Sequence, residues 1–125
     1  MKRLGILALL FVFSGVGALA ADRSQLAPAD EYFGRLKMSI LGIANTIRDA
    51  GLRLDAGASP ADVMNGSLAF ASDAIQDWEH RYPRDPWIPR DLAALQSAYE
   101  KIQTAQGQEL ARKTAAWRQH DFPQY

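Results

Sequence analysis

The stretch from Ser59 to Pro83 constrains the fold more than any other part of the chain. Met64, Leu68, Ala71, Ile75, Trp78 and Tyr82 recur at i, i+4, i+7, i+11, i+14 and i+18, which puts all six on one face of a 3.6-residue helix. Ser59-Pro60-Ala61-Asp62 supplies the start. Ser stands at the N-cap, Pro at the first helical position, and Asp at the third as a shorter version of a capping-box Glu. Pro83 supplies the stop, because its ring drives the preceding residue out of the helical region. A stripe this long has to be covered. No sustained period-two alternation offers a sheet to cover it, so the covering elements are helices.

Three further helices are expected. Leu36, Ile40, Ile43 and Ile47 form one stripe, and Leu54 extends it. They predict a first helix over about 30–54, starting near Pro28 or Asp30, irregular at Gly34, and fraying at Gly51 and Gly57. Pro83, Pro86 and Pro89 make a rigid connection around Trp87. Leu92, Leu95, Tyr99 and Ile102 then share a face. Gly107 reads as a turn, and Leu110, Ala111, Thr114 and Trp117 form a last helix closed by Pro123. The fold class expected is all-α.

Two helix ends look alike. Trp78-Glu79-His80-Arg81-Tyr82-Pro83 matches Trp117-Arg118-Gln119-His120-Asp121-Phe122-Pro123, a repeat near 40 residues that predicts two helical hairpins side by side, about 30–83 and about 86–123. This pattern resembles the tetratricopeptide-like hairpins of bacterial envelope proteins. In those, an aromatic-Pro step ends a second helix and an Asp-Pro leads into the next first helix, as Tyr82-Pro83-Arg84-Asp85-Pro86 does here. Small residues (Ala71, Ala74, Ala94, Ala98, Ala111, Ala115) stand where such helices would pack closely. The resemblance covers roughly 40–123. It implies a four-helix array of two stacked antiparallel hairpins, with a surface for a partner. The segment Tyr32-Phe33-Gly34-Arg35-Leu36-Lys37-Met38-Ser39 also looks like the mature start of small secreted bacterial proteins of unassigned function.

The address is read from the first twenty residues. Met1-Lys2-Arg3 is basic, Leu4 to Ala20 is almost wholly apolar, and Ala18-Leu19-Ala20 is a small-x-small cleavage site. This is the layout of a signal peptide over 1–20, followed by one domain over 21–125 in the periplasm or secreted, without stable membrane insertion after cleavage. The alternative is a retained anchor, but Gly15 and Gly17 weaken it and no basic flank follows. The chain has no cysteine, so neither lipidation at an N-terminal Cys nor a disulfide framework applies. The leader holds Lys2 and Arg3 and no acid, so the 14 basic and 14 acidic side chains of the whole become 12 and 14. That balance gives no electrostatic case for nucleic acid or anionic lipid as a partner.

Residues that carry chemistry are sparse. His80 and His120 are the two histidines. Each stands alone, without the i, i+4 partner of a helical metal site, and reads as a polar helix end whose cation suits the dipole. Asp73, Asp77 and Arg81 read as a solvated strip with an ordinary Asp77–Arg81 ion pair. No nucleophile elbow or phosphate-binding glycine loop is present. No enzyme activity, cofactor or metal is therefore expected. Trp78 and Trp117 lie on stripes and read as core. Trp87, between prolines and beside Arg84 and Arg90, either folds back over the helix junction or anchors an interface. With Tyr32, Phe33 and Phe70, large apolar groups off or beside the stripes, these residues are the candidates for partner binding. The function expected is a small non-catalytic interaction module for an envelope or secreted protein. The alternative is a small-ligand or metal-binding helical bundle.

Overall fold

A computed structural model describes residues 25–125; the leader expected over 1–20 lies outside them. Among the described residues five helices and no strand are formed: α1 (Ile40–Asp55), α2 (Pro60–Asn65), α3 (Ser67–Arg81), α4 (Trp87–Glu100) and α5 (Ala105–Asp121). α1 packs on α3 and α4 on α5, while α4 also lies against α1 and α3. Arg53 near the end of α1 donates to Ser67 Oγ at the start of α3 (3.1 Å), so this pair is antiparallel. Lys101, just past α4, reaches Asp55 at the end of α1 (2.8 Å), so the first helices of the two hairpins run parallel. The array is all-α, with two antiparallel hairpins stacked on each other and α2 as a short insertion in the first.

The expected helix over 59–82 breaks in two at Gly66. Ser59 caps α2 as expected, its Oγ accepting from the Asp62 N–H at 3.4 Å. At Gly66 the backbone folds so tightly that a Cβ would lie 2.8 Å from the Asp62 carbonyl oxygen. Glycine alone avoids that clash, and a separate helix starts at Ser67. Met64 and Leu68 are still both buried, so the periodicity survives the break that it conceals.

The first helix begins at Ile40, ten or more residues later than the start expected near Pro28 or Asp30. Ser39 is the cap, its Oγ accepting from the Gly42 N–H at 3.0 Å. Ahead of it Phe33 and Met38 exchange backbone hydrogen bonds (2.8 and 2.9 Å) across a tight turn. Gly34 (φ 77°) and Lys37 (φ 54°) take left-handed conformations in that turn. Leu36 sits at its exposed tip, so its place in the stripe is coincidental. Gly51, expected to fray α1, is instead buried inside it. Gly107, expected as a turn, lies in the first turn of α5, where Thr104 Oγ1 accepts its N–H at 3.1 Å.

The core runs through all four long helices. Ile43 and Ile47 meet Leu68, Ile75 and Trp78 from one hairpin and Leu92, Leu95 and Ile102 from the other, all buried. Trp78 is fully buried, as its stripe requires. Trp117 is only half-buried, packed at the rim.

Candidate docking groove

α1 carries a second face that the buried stripe does not use. Leu41, Ala44, Arg48 and Leu52 stand at i, i+3, i+7 and i+11, one line along the helix. Leu41 is 69% exposed and Leu52 60%. Beside this line runs α4, presenting Trp87, Asp91, Ala94 and Ser97. Two hollows lie between the helices. One, of about 400 Å³, is bounded by Leu26, Ile40, Leu41 and Trp87. The other, of about 300 Å³, is bounded by Arg48, Gly51, Leu52, Ala94 and Lys101. Both include Ala44 and Asp91, so they join into one groove along the α1–α4 seam.

The cations along the groove all have partners of their own, one of them a carboxylate. Arg48 donates to Asn45 Oδ1 (2.9 Å), Lys101 to Asp55 (2.8 and 3.0 Å), and the Arg90 guanidinium stacks on Trp87 at 4.4 Å. Asp91 Oδ2, by contrast, is buried with no hydrogen-bond partner among the described residues. Burial pushes this carboxyl up to about 6, and the neighbouring charge of Asp85 adds to the effect.

Asp85 fixes the groove's upper end. It is 1% exposed and accepts three bonds: from the Trp78 indole N–H (3.0 Å), the Ala27 N–H (2.9 Å) and the Trp87 N–H (3.0 Å). The last sets the first turn of α4 and with it the position of Trp87. The bond to Ala27 brings Leu26 to the groove.

Residues 27–38 form a strap held to α3 by the row that the sequence presented as a solvated strip. Asp77 Oδ2 accepts from the Gly34 N–H (2.8 Å) and Asp73 Oδ2 from the Arg35 N–H (2.9 Å). Arg81 bridges Glu31 (2.6 Å), the Tyr32 carbonyl (2.6 Å) and Asp77 (2.8 Å). The Asp77–Arg81 pair is present, but within a dock for backbone. The Gly34 N–H, more than Arg81, holds the Asp77 carboxyl below its usual range. A Cβ on Gly34 would lie 2.8 Å from the Ala74 Cα, so glycine lets strap and helix touch.

A second polar cluster joins the ends of α3 and α5. The Trp117 indole donates to Glu79 Oε1 (2.6 Å), and His120 Nδ1 lies 2.6 Å from Asp121. Burial and a hydrogen bond shared with Asp121 raise the Glu79 carboxyl to about 7, while the same bond lowers Asp121. Glu79, His80 and Trp117 border a shallow hollow. No group of three or more His, Asp or Glu among the described residues is placed to hold a metal ion.

The sequence-derived candidates scatter over the molecule. Trp87 is 51% exposed and walls the groove, with Arg90 lying on its ring. Arg84 is exposed on the loop before α4. Tyr32 is exposed on the strap, outside the groove. Phe70 is half-buried beneath the Arg35 guanidinium, 5.4 Å away. Phe33 is a correction, since it is wholly buried and part of the core. Its ring stacks on Trp78 (5.9 Å), meets the edge of Tyr82 (6.1 Å) and is covered by Arg81 at 4.3 Å, because the strap folds it inward. Leu41, Leu52 and Asp91 are not among the sequence-derived candidates, although the second line on α1 is visible in the spacing of Leu41, Ala44, Arg48 and Leu52. No family model matches the chain, nor does any curated protein or solved structure.

Proposed function

We propose that the protein is a small, exported, non-catalytic interaction module of the bacterial envelope, and that it docks an apolar segment of a partner polypeptide along the α1–α4 groove. The observation that carries this reading is the row of exposed apolar groups on that seam. Leu26, Leu41, Leu52 and Trp87 all face water along one continuous hollow floored by alanine and glycine. A patch of this kind on a small protein marks an interaction surface. A groove open along two helices suits an extended or helical segment. Trp87, stiffened by Asp85 and Arg90, serves as its aromatic anchor. The stacked hairpins agree with this, since arrays of such units create extended binding surfaces.

The experiment is native mass spectrometry of the protein purified gently from its own cell envelope, as wild type and as Leu41→Glu/Leu52→Glu. The reading expects a polypeptide bound in fixed ratio to the wild type and lost from the variant. A partner retained by the variant would remove the groove from consideration, and a bare wild-type monomer would remove a stable partner.

A further inference from the structure

The groove is apolar except at one point, and that point is a defect. Asp91 brings a carboxylate into a seam lined by Leu41, Ala44, Ala94 and Trp87, and one of its oxygens is buried with no donor. A buried acceptor without a donor is destabilising, and more so when charged. None of the cations along the groove bonds it: Lys101 pairs with Asp55, Arg48 donates to the neutral Asn45 amide oxygen, and Arg90 lies on the face of Trp87. The counter-charge is thus missing from the described residues, while an apolar hollow of about 400 Å³ opens directly beside the carboxylate. A cation on an apolar stem would complement both the carboxylate and the hollow.

We propose that Asp91 and the hollow beside Trp87 form a receptor for a primary alkylammonium group, supplied by a lysine side chain of the docked segment. This rests on the groove reading above and adds a chemical requirement to it. The four methylenes of lysine lie against Leu41, Ala44 and the Trp87 ring, and the ammonium meets the Asp91 carboxylate. The hollow continues past Asp91 toward Leu52, which leaves room for the chain on either side of the lysine. That continuity favours a segment over a free amine. The raised carboxyl of Asp91 agrees, being what a carboxylate shows before its counter-ion arrives.

The test uses hexylammonium and its neutral counterpart hexanol, each titrated into the isotopically labelled protein at neutral pH and followed by NMR. Hexylammonium is expected to shift Leu41, Ala44 and the Trp87 indole, and to bind about tenfold or more tighter than hexanol, the margin of one charge-assisted hydrogen bond. Asp91→Asn should abolish that margin and leave hexanol binding unchanged. Trp87→Ala should weaken both probes together, a control that does not depend on Asp91. Equal affinity of the two probes, or a margin that survives Asp91→Asn, overturns the assignment. The groove itself would still stand or fall by the Leu41→Glu/Leu52→Glu experiment. Acetyl-Leu-Lys-Leu-amide should displace hexylammonium with the same dependence on Asp91. Failure to displace it overturns the lysine source and gives the site to a free amine.

Discussion

The ends of α3 and α5 share a backbone and differ in what surrounds it. Tyr82 and Phe122 have nearly the same dihedrals (φ −135°, ψ 68° and φ −134°, ψ 59°), and their N–H groups bond back to Trp78 and Arg118 respectively. The structural repeat is therefore 40 residues, and Trp78 corresponds to Arg118, not to Trp117. One residue along a helix is a rotation of about 100°. Trp78 accordingly points into the core and bonds Asp85, while Trp117 stands at the rim and bonds Glu79. Position by position α5 is a thinned copy: Ala71 and Ala111 are both buried, as are Ala74 and Thr114, but Leu68, Ile75 and Trp78 are answered by Gln108, Ala115 and Arg118. The difference shows how one helical phrase serves two positions. Between neighbours it carries large apolar groups. As α5, packed chiefly on α4, it becomes polar.

The sharpest way to break this comparison is to truncate both tryptophans. Trp78→Ala should cost about 3–5 kcal/mol in urea unfolding, and Trp117→Ala less than about half of that. Similar losses would mean that Trp117, and not Arg118, is the structural counterpart of Trp78. Asp85→Ala follows, because it leaves the Trp78 indole N–H and the Ala27 N–H without their acceptor. A loss of roughly 2–3 kcal/mol is expected by the same measurement. Arg118→Met should act in the opposite sense. Arg118 Nε is buried without a partner, so an apolar side chain at the position matching Trp78 should gain about 0.5–1 kcal/mol.

The smallest effect distinguishes the two ends by pH. The Glu79 carboxyl titrates at about 7 in the folded chain against an ordinary 4.5, so folding favours its protonated form. That contribution is complete below about 4.5 and is lost as pH rises through 7. Glu79→Gln, which imitates the protonated carboxyl, should match the wild type in melting temperature at pH 5 and exceed it at pH 8. A constant difference across that range would remove the shared proton from the account.

Local signals in the sequence read well, and contacts between distant segments did not. Ser59, Pro60 and Pro83 act at their own positions, and the stripe through Ile75 and Trp78 is buried as its period demands. The break at Gly66 was hidden because both sides keep the same apolar phase. The burial of Phe33 depends on Arg81 and Trp78, more than forty residues away, and nothing in its own neighbourhood announces it. Of the candidate site, Trp87 was legible from its prolines and arginines. Asp91 was not, since an acid beside a stripe looks solvated until the facing helix is in place.

The strap has a consequence in time. Ala27 and Asp85 are 58 residues apart, and Glu31 and Arg81 are 50 apart. The entropy of closing a loop grows with its length, and contacts of long sequence separation form slowly. Residues 27–38 are made before α3, yet they find their row of carboxylates only after α3 and the turn beyond it exist. An early-made segment thus waits on chain made about fifty residues later before it can lock.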